Sequence, residues 1–170
     1  MPGLSGATMT EVARAALEGS RTVLLADWHE DVPRSLVDAG YEVLSTHEGW
    51  FRHELTATPP ADDEHVLPPT APHHAGWLTA VPLAKPPAQV DMVCVYRPAP
   101  EQLGLVQELA IPLGAKWFWV ERGDERFTHP DPVVAGASDE ARAACAAAGI
   151  EVVEGLSVPV VLAELRKGAR

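Results

Sequence analysis

The stretch "VDMVCVYRPAPE" (residues 90–101) decides the fold. From Val90 to Tyr96 it is apolar at almost every position, with only Asp91 interrupting. A strand of that kind is buried on both faces, as in a parallel sheet covered by helices on each side. Arg97 and a Pro-Ala-Pro turn follow, then "APEQLGLVQELAIPLG", where Leu103, Val106, Leu109 and Ala110 mark one side of a predicted helix. Strand, turn and helix repeat on either side of this unit.

Upstream, "RTVLLADWHEDVPRS" (residues 21–35) opens with the apolar run Val23, Leu24 and Leu25, read as a strand over 21–26. "DVPRSLVDAGY" predicts a short helix ending at Gly40, and "YEVLS" (Tyr41 to Ser45) alternates as a strand does. A helix leads the chain at "TEVARAALEG", with Thr10 as its expected N-cap and Gly19 placed to stop it. Downstream, "AKWFWV" is a strand. "SDEARAACAAAG" is a helix between Ser138 and Gly149, "IEVVEG" a strand, and "SVPVVLAELRKG" the closing helix. The alternation predicts a single α/β domain built on an open, mainly parallel sheet with right-handed crossovers.

One region departs from this pattern. From His47 to Pro87 the chain is rich in His and Pro, which excludes a long helix. "GWLTAV" is expected to hold one short strand and the rest a long loop, with residues 47–76 as an insertion within the single domain of residues 1–170.

The 170 residues suffice for one domain with a real core, and 46% are apolar. A net charge of −11 disfavours nucleic acid, whose phosphates need clustered Lys and Arg. Cys94 and Cys145 form no C-x-x-C pair and read as small core residues. With neither a signal-peptide pattern nor about 20 consecutive apolar residues, a cytoplasmic protein with no membrane partner is expected. An acidic single domain of this size is compatible with a homodimer.

In open α/β sheets ligands bind beyond the carboxyl ends of the strands, at the switch point of the strand order. At 96–101, Tyr96 offers an aromatic face for a base and Arg97 a fork suited to phosphate. Pro98 or Pro100 starts a helix whose free N–H groups attract anions. At 26–35 the signals oppose one another: Asp27, Glu30 and Asp31 repel phosphate, whereas Arg34 and Ser35 attract it from the following helix, and Trp28 can stack on a base or plug the crevice. His29, His47, His53, His65, His73 and His74, with Asp27, Asp31, Asp62 and Asp63, raise a metal-dependent enzyme as one alternative, although no fixed metal-ligand spacing occurs. Neither a G-x-S-x-G elbow nor a Walker loop is present, and Ser138 and Ser157 read as caps, so no catalytic residue is assigned.

The order of elements, with "VDMVCVYRPAPE" followed by "LGAKWFWVERG", resembles the small stand-alone CoA-binding proteins, relatives of the CoA-binding domain of the succinyl-CoA synthetase α subunit. "DAGYEVLS" and "DEARAACAAAGIEVV" extend the likeness over nearly the whole chain. The resemblance implies a Rossmann-like sheet holding coenzyme A, an acyl-CoA or a related adenine nucleotide, with Tyr96, Arg97, Pro98 and Gly123 at matching site positions. Ala26, Asp27 and Trp28 stand where that family has a "G-A-S" turn, and Ser45, Thr46 and His47 where it has "V-N-P". The family's cysteine near the last strand is absent, with Gly155 and Leu156 in that region. Ala26, Asp27, Trp28, Arg34, Ser35, Thr46, His47, Tyr96, Arg97, Pro98 and Gly123 are therefore the candidate ligand residues. A chain that kept the fold, lost the ligand and became an assembly partner is the other reading.

Overall fold

The computed structural model describes residues 7–28, 32–46, 53–56, 65–67, 78–122 and 136–168. The strands are β1 (Thr22–Ala26), β2 (Glu42–Thr46), β3 (His53–Thr56), β4 (His65–Leu67), β5 (Leu78–Pro82), β6 (Met92–Val95), β7 (Trp117–Val120) and β8 (Glu151–Glu154). The helices are α1 (Met9–Gly19), α2 (Val32–Asp38), α3 (Ala99–Leu105), α4 (Asp139–Ala147) and α5 (Val158–Gly168). The described strands form one sheet in the order β4-β5-β3-β2-β1-β6-β7-β8. Pairing is parallel from β2 through β8 and antiparallel from β2 out to β4. This is the open, mainly parallel, Rossmann-like α/β sheet that the buried runs predict.

Alternation along each central strand sends apolar side chains to both faces. Val23, Leu25, Met92, Cys94 and Trp119 pack with α1, α2 and α5. Leu24, Val93, Val95, Phe118 and Val120 pack with α4 and with the segment after α3. Both faces are therefore covered by helices, which is why these strands carry no polar face in the sequence. Cys94 and Cys145 are buried and unpaired, as small core residues.

Several details differ from the sequence reading. The segment expected to be mostly loop supplies β3 and β4 as well as the expected strand near "GWLTAV", so the Pro- and His-rich region adds an antiparallel extension to the sheet. The cap of α1 is Thr8, not Thr10: its side chain accepts from the Glu11 amide while Glu11 reaches back to the Thr8 amide, a reciprocal capping box. Gly19 is the last residue of α1, and packing calls for a glycine there, since a Cβ would lie 2.6 Å from the indole of Trp117. The helix after Pro98 is α-helical only to Leu105 and continues as a π-helical segment, Val106–Ala110.

Candidate functional site

Chain order changes direction at β1: β2 lies on one side of it and β6 on the other. The carboxyl ends of β1, β2 and β6 therefore diverge around a crevice, the position where open α/β sheets bind ligands. A cleft of about 430 Å³ occupies this place. It is lined by Ala26 and Asp27 from the end of β1, Thr46 from the end of β2, and Arg97, Glu101, Gly104, Leu105, Glu108 and Leu109 from the segment after β6. That volume lies in the range of small-molecule sites.

The turn after β1 answers how the chain manages without a glycine there. Asp27 has φ of 65°, the left-handed conformation usually left to glycine. Aspartate is one of the few residues that tolerates it, because a short polar side chain can bond locally. Here Oδ1 accepts from the Trp28 amide at 2.9 Å. The other oxygen, Oδ2, accepts from a terminal guanidinium nitrogen of Arg97 at 3.1 Å, and the second terminal nitrogen of Arg97 donates to Glu101 at 2.6 Å. The hydrogen bond that Arg97 donates to Glu101, opposed by burial and aided by Asp27, raises the Arg97 pKa. Arg97 is thus a permanent cation with a carboxylate on each end of its fork. With Glu108, the lining holds three carboxylates against this one guanidinium.

The backbone around Arg97 is fixed from below. Gln102 is fully buried, and its side-chain amide donates to the carbonyls of Arg97 and Gly136 while its oxygen accepts from the Ser138 amide at 2.7 Å. Ser138 caps α4 by accepting from the Ala141 amide, as its sequence position predicts. One glutamine therefore ties the turn carrying Arg97 to the start of α4.

A further carboxyl, unlike those of the cleft lining a fully buried one, lies at the same end of the sheet. Glu121 follows β7, is 1% exposed, and accepts from the Val158 amide at the start of α5. Burial pushes its pKa up to about 7, against the pull of the Val158 amide and of hydrogen bonds with Ser157 and Trp119.

Of the residues singled out in the sequence, Ala26, Asp27, Thr46 and Arg97 come together on the cleft. Tyr96 is half-buried and packs against the core, and Pro98 is the N-cap residue of α3. Trp28 packs among the α1, α2 and α5 side chains. Arg34 pairs with Asp38 along α2, and Ser35 is half-buried on the same helix; neither belongs to the cleft lining. His47 and Gly123 lie outside the described residues, as do His29, His73 and His74. Among the described residues no three His, Cys, Asp or Glu side chains gather in a way that could hold a metal ion. Sequence reasoning missed Glu101, Gly104, Leu105, Glu108 and Leu109. Their spacing, with 101, 105 and 109 four apart and 104 and 108 four apart beside them, was the available signal of a single helix face.

Fold and cleft together define an open α/β domain with a cleft at the switch point of its sheet. The chain matches the model of the CoA binding domain over residues 27–163, and it belongs to that family. No curated protein matches it. Among solved structures it is similar to a protein described as cell-free ID.343 from Thermus thermophilus, with a TM-score of 0.51 and 21% identity over 94% of this chain and 99% of that one. At that identity the likeness speaks for the shared fold. Among the described residues no helix is long and apolar enough to cross a membrane.

Proposed function

We propose that the switch-point cleft binds coenzyme A or an acyl-CoA, and that the protein acts as a binding module of the cytoplasm rather than as a catalyst. The observation that carries this reading is the convergence of Ala26, Asp27, Thr46 and Arg97 on one cleft at the ends of β1, β2 and β6 in a chain of the CoA-binding family. The cleft suits such a ligand in shape. Leu105 and Leu109 give it an apolar wall, and Gly104 leaves it open, since a Cβ there would meet nothing within 4 Å. Arg97 would hold phosphate through its planar fork, and the Thr46 hydroxyl would add a hydrogen-bonding group.

A second reading has an observation of its own. Asp27 and Glu101 already occupy Arg97, which favours a chain that keeps the fold without the ligand and serves as an assembly partner. Calorimetric titration with CoA, acetyl-CoA and ATP separates the two. The binding reading expects saturable CoA binding that weakens at least tenfold, about 1.4 kcal/mol, in Arg97→Ala. Absence of binding at millimolar CoA by folded protein, or an Arg97→Ala affinity equal to wild type, contradicts it.

A further inference from the structure

We propose that Asp27 is a built-in competitor for the ligand's phosphate: its carboxylate takes one end of the Arg97 fork and so sets how strongly the cleft attracts anions. This rests on the reading that the cleft receives a phosphate-bearing ligand, and goes beyond it by assigning the control of affinity to one residue.

The argument starts from geometry. An arginine fork recognises phosphate and carboxylate with the same planar donor pattern, so either group satisfies it. In this structure both terminal nitrogens of Arg97 donate to carboxylates, one to Asp27 at 3.1 Å and the other to Glu101 at 2.6 Å. A phosphate entering the cleft must displace one of them or approach against both. The two carboxylates are not equivalent. Glu101 stands four residues along from Arg97 on α3, at the end of a long side chain that is 45% exposed. Asp27 is held in place: its left-handed backbone fixes the turn, and the Trp28 amide bonds its other oxygen. It also follows β1 directly, at the switch point itself, so its charge stands in the mouth through which phosphate approaches the strand end.

The arrangement has two consequences. Phosphate attraction is low while the Asp27–Arg97 pair is closed, and a ligand is selected by whether the rest of it offsets the cost of opening that pair. Removing the Asp27 charge leaves the guanidinium end free. The backbone accommodates this, because a φ of 65° suits glycine better than aspartate and suits asparagine equally well.

The experiment titrates wild type, Asp27→Asn, Asp27→Gly and the double variant Asp27→Asn/Arg97→Ala with inorganic pyrophosphate, and separately with CoA. Both single variants are expected to bind pyrophosphate roughly tenfold more tightly than wild type, and the double variant is expected to lose that gain. The same variants of Glu101, Glu101→Gln included, are expected to gain less. If neither Asp27 variant binds pyrophosphate more tightly, or if the gain survives Arg97→Ala, the proposal is overturned, whatever CoA does. If the gain appears and depends on Arg97 while no variant binds CoA, the competitor role stands and the CoA reading fails.

Discussion

Asp91 and Asp27 close opposite ends of two neighbouring strands. Asp91 precedes β6 at the amino end of the sheet, and Asp27 follows β1 at the carboxyl end. Each carboxylate accepts two hydrogen bonds, yet the partners differ in kind. One oxygen of Asp91 accepts from the backbone amides of Arg21 at 2.8 Å and Thr22 at 3.1 Å, both fixed where β1 begins. Burial works to raise its pKa, but those amides, with Lys116 and Arg21 nearby, bring it below the usual value. Asp27 has one amide partner and one side-chain partner, on a backbone in a conformation few residues accept. The amino end uses its aspartate to register strands. The carboxyl end uses its aspartate to hold an arginine beside a cleft, a bond that a ligand can exchange.

The comparison is broken or sharpened first at Glu121, where the largest effect is expected. Its pKa in the folded protein, about 7, lies above the ordinary value of 4.5, so the native state binds the proton more tightly than the unfolded chain does. Its contribution is complete below about pH 4.5 and is lost as pH rises through 7. Wild-type stability is expected to fall over that window by up to roughly 3 kcal/mol. Glu121→Gln is expected to flatten the profile and to be the more stable protein at pH 8. Denaturant melts of both across pH 4–9 check this; a flat wild-type profile would show that the carboxyl edge carries no such stored cost.

Next come the two aspartates. Asp91→Ala leaves strand-end amides without an acceptor and is expected to cost about 1–2 kcal/mol. The Asp91 contribution runs opposite to that of Glu121 in pH: it is present above the ordinary carboxylate value and is lost as pH falls, because its folded pKa is lowered. Asp27→Gly is expected to shift stability by no more than about 0.5 kcal/mol, since the partly exposed ion pair it removes is weak and the left-handed backbone it relieves favours glycine. Equal losses at the two sites, by thermal or chemical melts, would erase the distinction between a registering and an exchangeable aspartate.

A gain in stability, not a loss, is expected at Gly104. Gly104→Ala replaces a helical glycine whose Cβ would meet nothing within 4 Å, and a gain of about 0.5–1 kcal/mol follows from helix propensity. Gly104→Trp is expected to keep the fold, to fill the cleft and to abolish ligand binding. Binding that survives the tryptophan would place the ligand elsewhere.

The amino end and the sheet core were legible in the sequence because local pattern carries them. "VDMVCVY" read as a doubly buried strand and "AKWFWV" as a strand, and both are strands, with Met92 to Val95 buried throughout. Ser138 read as a cap and is one. Thr8 was legible too, through the Thr-x-x-Glu spacing to Glu11, but Thr10 stood nearer the apolar run. The strands β3 and β4 were not legible, because they have only four and three residues, too short to show an alternating period, and β4 sits between Pro60 and Pro68. The site was half legible. Arg97 and Asp27 were each conspicuous, but they are 70 residues apart, and no periodicity links them; only the parallel pairing of β1 with β6 brings their ends together. The sequence reading therefore set Asp27 against phosphate and Arg97 in favour of it, without seeing that each answers the other.

The most direct test of the account is an amide-resolved NMR titration of the wild-type protein with CoA. The account predicts saturable shifts at Ala26, Asp27, Thr46, Glu101 and Gly104, at the carboxyl end of the sheet, with Arg21, Thr22 and Asp91 at the amino end unmoved. Shifts centred on the amino end, or none anywhere at saturating millimolar CoA, would contradict it.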